Sequence, residues 1–246
     1  MSEMSPTTNL PEQKSDSRVD GSLRAHLRSV AAIVWKDLAA EFRSRELIGA
    51  MLVFGALVIV IFNFALELDI RTRENVTSGV LWVTFAFAGT LGLNRSMAIE
   101  KDRGCLDGLL LAPVDRSVIY FGKAIGNLFF MLIIEAIILP MYSVLYNVNL
   151  FQPGLIFVIL LGSIGYTAVG TLLASMAVQA RTRDVLLPIL LFPVLIPLLL
   201  AAVKASNGFL QGFEIAEIMP WVNIMIAYDV IFIAVAFMVF DFVVEE

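Results

Sequence analysis

Residues 47–66, LIGAMLVFGALVIVIFNFAL, run for twenty residues without a charged side chain. At a rise of 1.5 Å per residue, a helix of that length crosses the ~30 Å hydrocarbon layer of a bilayer. Five further apolar stretches follow at 78–98, 118–146, 154–178, 185–203 and 220–240. The chain therefore reads as an all-α integral membrane protein with six transmembrane helices over residues 47–246. Composition agrees: 59% of residues are hydrophobic, 16% are charged, and mean hydropathy is +0.86, well to the apolar side of soluble domains.

The first run begins too deep in the chain for a signal peptide. Before it, residues 1–21 are polar, carry two prolines and lack periodicity, which predicts a disordered cytoplasmic tail. Residues 22–46 differ. Leu23, Leu27, Val30, Val34, Leu38 and Phe42 recur every three or four residues, with Arg24, Arg28, Lys36, Asp37, Glu41, Arg43 and Arg45 between them. That spacing predicts an amphipathic helix lying in the membrane interface, the alternative being a helix packed on a soluble partner.

Lysine and arginine placement sets an expected orientation. Fourteen of the seventeen fall in the segment before residue 47, around the connection between spans two and three, or in the loop after span four. Only Arg71, Arg73 and Lys204 fall on the other side. The expected topology puts the amino terminus in the cytoplasm. The carboxyl end, DFVVEE, would share that side without a basic residue.

Several chemistries are excluded or weakened. A net charge of −5 argues against a nucleic-acid partner. One cysteine, Cys105, permits neither an internal disulfide nor a cysteine metal cluster. The Gly122–Lys123 pair does not complete a phosphate loop, which would need glycine at 117 and Ser or Thr at 124, where Ser117 and Ala124 stand. The single histidine, His26, precedes the spans, so no catalytic triad and no intramembrane axial heme ligand of that type is at hand. The chain is not expected to be an enzyme, nor to bind a cofactor or metal of its own.

Within the spans, Gly162, Ser163, Gly165, Ala168, Gly170 and Ala174 give the fourth a small-residue surface for close helix packing. Arg95, near the end of the second, is placed to snorkel to the headgroups. Pro188, Pro193 and Pro197 bend the fifth and free backbone carbonyls, making it a candidate hinge. Glu135 and Asp229 are intramembrane acids and functional candidates on that ground. The structural alternative is that each bonds Ser, Thr, Tyr or backbone groups inside the bundle, and Tyr228 and Asn223 point to a polar face near Asp229.

One polar stretch lies between spans two and three: EKDRGCLDGLLLAPVDR, residues 100–116. Charges of both signs, a leucine edge and a terminating Pro113 describe a short surface tethered to two spans, longer than a mere connection requires. Glu100, Lys101, Asp102, Arg103, Leu106, Asp107, Leu109 and Leu110 are its candidate docking residues.

An elbow helix, two spans and a loop of the form E-x-x-x-G-x-L-x-x-L-L-x-x-P (Glu100, Gly104, Leu106, Leu109, Leu110, Pro113), with Gly-Lys following, resemble the membrane subunit of a six-span, exporter-type (ABC-2-like) ABC permease. The stretches GKAIGNLFFMLIIEAIILP (122–140) and RDVLLPILLFPVLIPLLLAA (183–202) are most similar to the CcmB family, heme exporter protein B of cytochrome c maturation. That resemblance implies a permease over 47–246, located in the cell inner membrane, with segment 99–116 as the coupling surface for a separate ATP-hydrolysing subunit. It also implies a homodimer, a heme-handling membrane protein and a small single-span subunit as partners, with heme as substrate or release of a heme-loaded periplasmic chaperone as outcome. The alternatives are an ABC-2-type permease for a lipid, polysaccharide or drug, and an ion-coupled secondary transporter working through Glu135.

Overall fold

A computed structural model describes residues 16–65, 70–102, 116–178, 180 and 182–243. Those residues form seven helices and no strand: α1 (Asp16–Ser44), α2 (Glu46–Ala65), α3 (Ile70–Asp102), α4 (Arg116–Tyr146), α5 (Pro153–Ala177), α6 (Arg183–Gln211) and α7 (Ile215–Val243). Helices α2 to α7 contain six segments long and apolar enough to cross a membrane. The chain is thus an all-α, multi-pass membrane protein.

The fifth span outruns its expected end at residue 203, continuing to Gln211. It stops where Gly212 adopts a left-handed φ of 71°, with the Phe213 N–H donating to the Gly208 carbonyl at 2.9 Å. This is the ordinary glycine closure of a helix. Helix α1 begins at Asp16, six residues ahead of the expected start, and residues 1–15 lie outside the described part.

The corner between α1 and α2 is built by Glu41. Arg45 there has a φ of 55°, a left-handed conformation uncommon for a residue with a side chain. The Arg45 N–H donates to the Glu41 carbonyl at 2.7 Å, closing α1. The Glu41 carboxylate then accepts the Ile48 N–H at 2.9 Å, one of the donors that the first turn of α2 cannot satisfy internally. Glu41 is buried despite its charge because those bonds replace water.

Helices α3 and α5 are central. In their most apolar stretches 72% of residues are buried, against 22% in α2 and 28% in α7. Glycines explain how large side chains fit around α5. A Cβ on Gly162 would overlap the Trp82 ring of α3, and one on Gly170 would overlap Leu93. The Trp82 indole N–H donates to Ser206 of α6 at 2.9 Å, so burying it leaves no orphan donor. The outward faces of α2, α6 and α7 expose residues such as Phe64, Ile189 and Met238, the surface a membrane protein turns to lipid.

Helix α1 lies along α4 and divides its apolar pattern between two environments. Ile33, Val34 and Glu41 are buried, while Leu27, Trp35 and Phe42 are 67%, 74% and 59% exposed. The expected stripe from Leu23 to Phe42, of which the Leu23 side chain lies outside the described part, is therefore not one contact face. Its middle meets the bundle and its flank is left open.

Candidate functional site

Five side-chain contacts gather the loops of one end of the bundle. The last turns of α3 reach three neighbours. Arg95 forms an ion pair with Glu46 at the start of α2, 2.8 Å apart. Asn94 donates to Asp184 in the first turn of α6 at 2.9 Å. The Lys101 ammonium donates to the Val178 carbonyl at the end of α5, also at 2.9 Å, where a cation complements the helix dipole. Asp102 receives both terminal nitrogens of Arg183, at 3.1 and 3.0 Å. The fifth contact, 2.7 Å between Lys123 and Asp37, holds α4 to α1.

These contacts tie the flank of the 99–116 segment to the loop between α5 and α6, and join the three regions that hold most of the basic residues. Of the candidate docking residues, Lys101 and Asp102 are described and both are engaged within the chain. Glu100 falls in the last turn of α3, and Arg103, Leu106, Asp107, Leu109 and Leu110 lie outside the described residues. The Arg183 hydrogen bond holds the Asp102 carboxyl below its ordinary range. Asp102 nevertheless stays 61% exposed, so it serves the staple while remaining at the surface. The sequence reading missed this pairing, since 81 residues separate the partners; the only signal was a second charged cluster, Arg181 to Asp184, on the same side.

The Gly122–Lys123 pair, which cannot cradle phosphate, has a packing role instead. A Cβ on Gly122 would come within 2.8 Å of Ile33, so glycine lets α1 settle directly on α4. One residue on, Lys123 is 3% exposed and pairs with Asp37, whose other oxygen lies 3.3 Å from Lys36. Between α1, α2, α3 and α4 these groups border a cleft of about 200 Å³, lined also by Glu41, Glu46 and Ser96.

Deeper in the bundle, Glu135 of α4 is buried and accepts a hydrogen bond from the Ser163 hydroxyl of α5 at 2.5 Å. Its second oxygen has no partner among the described residues. Asp229 of α7 is buried against Gly165, where a Cβ would overlap its carboxylate, and neither of its oxygens has a partner there. Asn223 is exposed, so it does not supply the polar surrounding expected for Asp229. Tyr228 instead donates to the Val194 carbonyl of α6 at 3.1 Å. Pro188, Pro193 and Pro197 all lie inside the continuous helix α6, and Val194 sits in the stretch where Pro193 and Pro197 weaken the backbone ladder. Among the described residues no group of three or more His, Cys, Asp or Glu side chains is placed to hold a metal.

A family model described as "CcmB protein" matches residues 28–245, from the middle of α1 past the sixth span. The chain belongs to the CcmB family. It is 25% identical to heme exporter protein B of Rhodobacter capsulatus over 187 residues, covering 75% of this chain and 85% of that protein. The corresponding protein of Bradyrhizobium diazoefficiens is 24% identical over 189 residues, 76% and 84% of the two chains. That of Paracoccus denitrificans is 26% identical over 184 residues, 74% and 84%. The CcmB match takes in the elbow, all six spans and both stapled loops. It leaves out the first 27 residues.

Proposed function

We propose that this CcmB-family chain is the permease subunit of a heme-export system of cytochrome c biogenesis, driven by a separate ATP-hydrolysing subunit docked on segment 99–116. The observation that carries the mechanism is the double staple beside that segment, Lys101 to Val178 and Asp102 to Arg183. Force applied to the segment reaches α5 and α6 through charged bonds rather than through a slack loop. Helix α6, interrupted by three prolines, then converts the pull into a rearrangement at the opposite end of the bundle. The relatives named heme exporter protein B support the substrate assignment.

In this reading two copies of the chain act with two ATPase subunits in the cell inner membrane, amino terminus in the cytoplasm. A heme-handling membrane protein and a small single-span subunit are the further partners. The work done is either heme movement or release of a heme-loaded chaperone on the far side. No histidine lies in a span, so heme that passes this chain is not held there by imidazole.

The test is site-specific photocrosslinking from positions 106, 109 and 110 in native membranes. Capture of a nucleotide-hydrolysing protein from all three positions is the expected result. Efficient labelling of those positions by a membrane-impermeant reagent added from outside, with no ATPase captured, overturns the proposal.

A further inference from the structure

Helix α4 carries Lys123, Asn127, Met131 and Glu135 at intervals of four, which places them along one face. Helix α5 carries Ser163, Thr167 and Thr171 at the same interval. The two faces meet as an antiparallel seam. Asn127 donates to Thr171 at 2.9 Å, and Ser163 donates to Glu135 two turns further in. Between those rungs Met131 and Thr167 border a small void together with Asn127 and Tyr166. Its volume of about 10 Å³ is close to the minimum that holds one water molecule. Leu47 and Phe130 line both this void and the larger cleft at the α1 end, where Lys123 begins the seam.

The inner end of the seam is unusual in its polarity. Glu135 is 2% exposed. Among the described residues Ser163 donates to its Oε1, and Oε2 is buried without a partner. An ionised carboxylate in that position would face apolar surroundings at large cost. Among the described side chains none with a compensating charge is paired with it from the helices that pack on α4. From α1, α2 and α3 the described ion-paired side chains, Lys36, Asp37, Glu46, Arg95 and Asp102, lie with Glu41 and Lys101 toward the elbow end. From α5 the titratable group is Tyr166, whose hydroxyl is taken by Thr90 and the Ala86 carbonyl. From α7 Asp229 lies against Gly165 and Tyr228 reaches α6.

We propose that Glu135 is a proton-binding site, charged and discharged with water from the α1 end through the polar seam between α4 and α5. With the proton on Oε2, Oε1 remains the acceptor that Ser163 requires, so the neutral acid satisfies the observed bond. Asn127, Thr171 and Thr167 give the entering water hydrogen-bond partners at each turn where a wholly apolar interface would offer none. The site does not depend on the ATPase-driven reading above, and it stands or falls separately.

The experiment is infrared spectroscopy of the full-length protein in liposomes during exchange from H2O to D2O. A protonated-carboxyl C=O band that shifts on deuteration and is lost in Glu135→Gln is expected, with Glu135→Asp moving the band rather than removing it. Asn127→Leu, which plugs the seam, slows that shift several-fold, whereas an exposed control such as Asn223→Leu does not. Labelling of Glu135 by a hydrophobic carbodiimide, read by peptide mass spectrometry on the unaltered protein, gives the same answer without a variant. Absence of both band and label shows Glu135 ionised and overturns the proposal. A band whose exchange is indifferent to Asn127→Leu overturns the path.

Discussion

A buried ion pair helps to seat α1, and its loss should be expensive. Lys123 is 3% exposed, Asp37 is 11% exposed, and their charged atoms are 2.7 Å apart. Removing one member of a buried pair typically costs about 3–5 kcal/mol, because the remaining charge is left uncompensated. Asp37→Ala should therefore destabilise the folded protein by about 3 kcal/mol, the low end, since Asp37 keeps some contact with solvent. The second contact of Asp37, with the 45% exposed Lys36, adds at most ~1 kcal/mol. The double variant Asp37→Leu/Lys123→Met replaces both charges by apolar groups and should return to within ~1 kcal/mol of the parent. Unfolding in mixed detergent and dodecyl sulfate micelles, followed by circular dichroism, measures all three. Tryptic cleavage at the exposed Arg28 and Arg43 reports whether α1 has left the bundle. A single-variant cost below ~1 kcal/mol, the range of exposed pairs, refutes the reasoning. So does a double variant whose cost equals the sum for Asp37→Leu and Lys123→Met made singly, since that cycle would then show no coupling.

Gly165→Ala should lose about 1–3 kcal/mol by forcing a methyl group into the Asp229 carboxylate, and Asp229→Ala in the same chain should recover most of it. The same unfolding titration reads both. Tyr228→Phe removes the bond to Val194 and should cost about 0.6 kcal/mol, the mean found for hydrogen bonds between membrane helices. Because Arg183 lowers the folded-state value of Asp102, the staple contributes fully above the ordinary carboxylate value of 3.8 and weakens only as pH falls below it. Spin-label distances between positions 96 and 185 should stay constant from neutral pH down to the ordinary carboxylate value of 3.8 and lengthen only in more acid conditions. In Asp102→Asn they should show no such transition.

The spans were legible because lipid demands long unbroken apolar runs, and such runs need no knowledge of partners. Their neighbours were not. Leu27 and Val34 read alike in the sequence, yet one faces outward and the other meets the bundle, since protein interior and lipid are both apolar. Gly122 and Lys123 drew attention as a failed phosphate motif, while their partners Ile33 and Asp37 lie some ninety residues earlier. The Asp102–Arg183 staple was hidden for the same reason. Of the two intramembrane acids, Glu135 has the hydroxyl partner that the structural alternative offered both, and Asp229 has none among the described residues. The fourfold spacing of Lys123, Asn127 and Glu135 against Ser163, Thr167 and Thr171 stood in the sequence and could have revealed the whole seam. The docking residues from Arg103 to Leu110 lie outside the described part, so their role rests on the proposal and its crosslinking test.

The most direct measurement is charge exchange across the staple, read as cytochrome c maturation in cells making equal amounts of each membrane-inserted variant. Asp102→Arg sets two guanidinium groups against each other and should abolish maturation, and Arg183→Asp should do the same with two carboxylates. Combining them as Asp102→Arg/Arg183→Asp restores the pair in reverse and should restore maturation. Full activity in either single variant, or an exchanged pair as inactive as its parents, would contradict transmission through this contact.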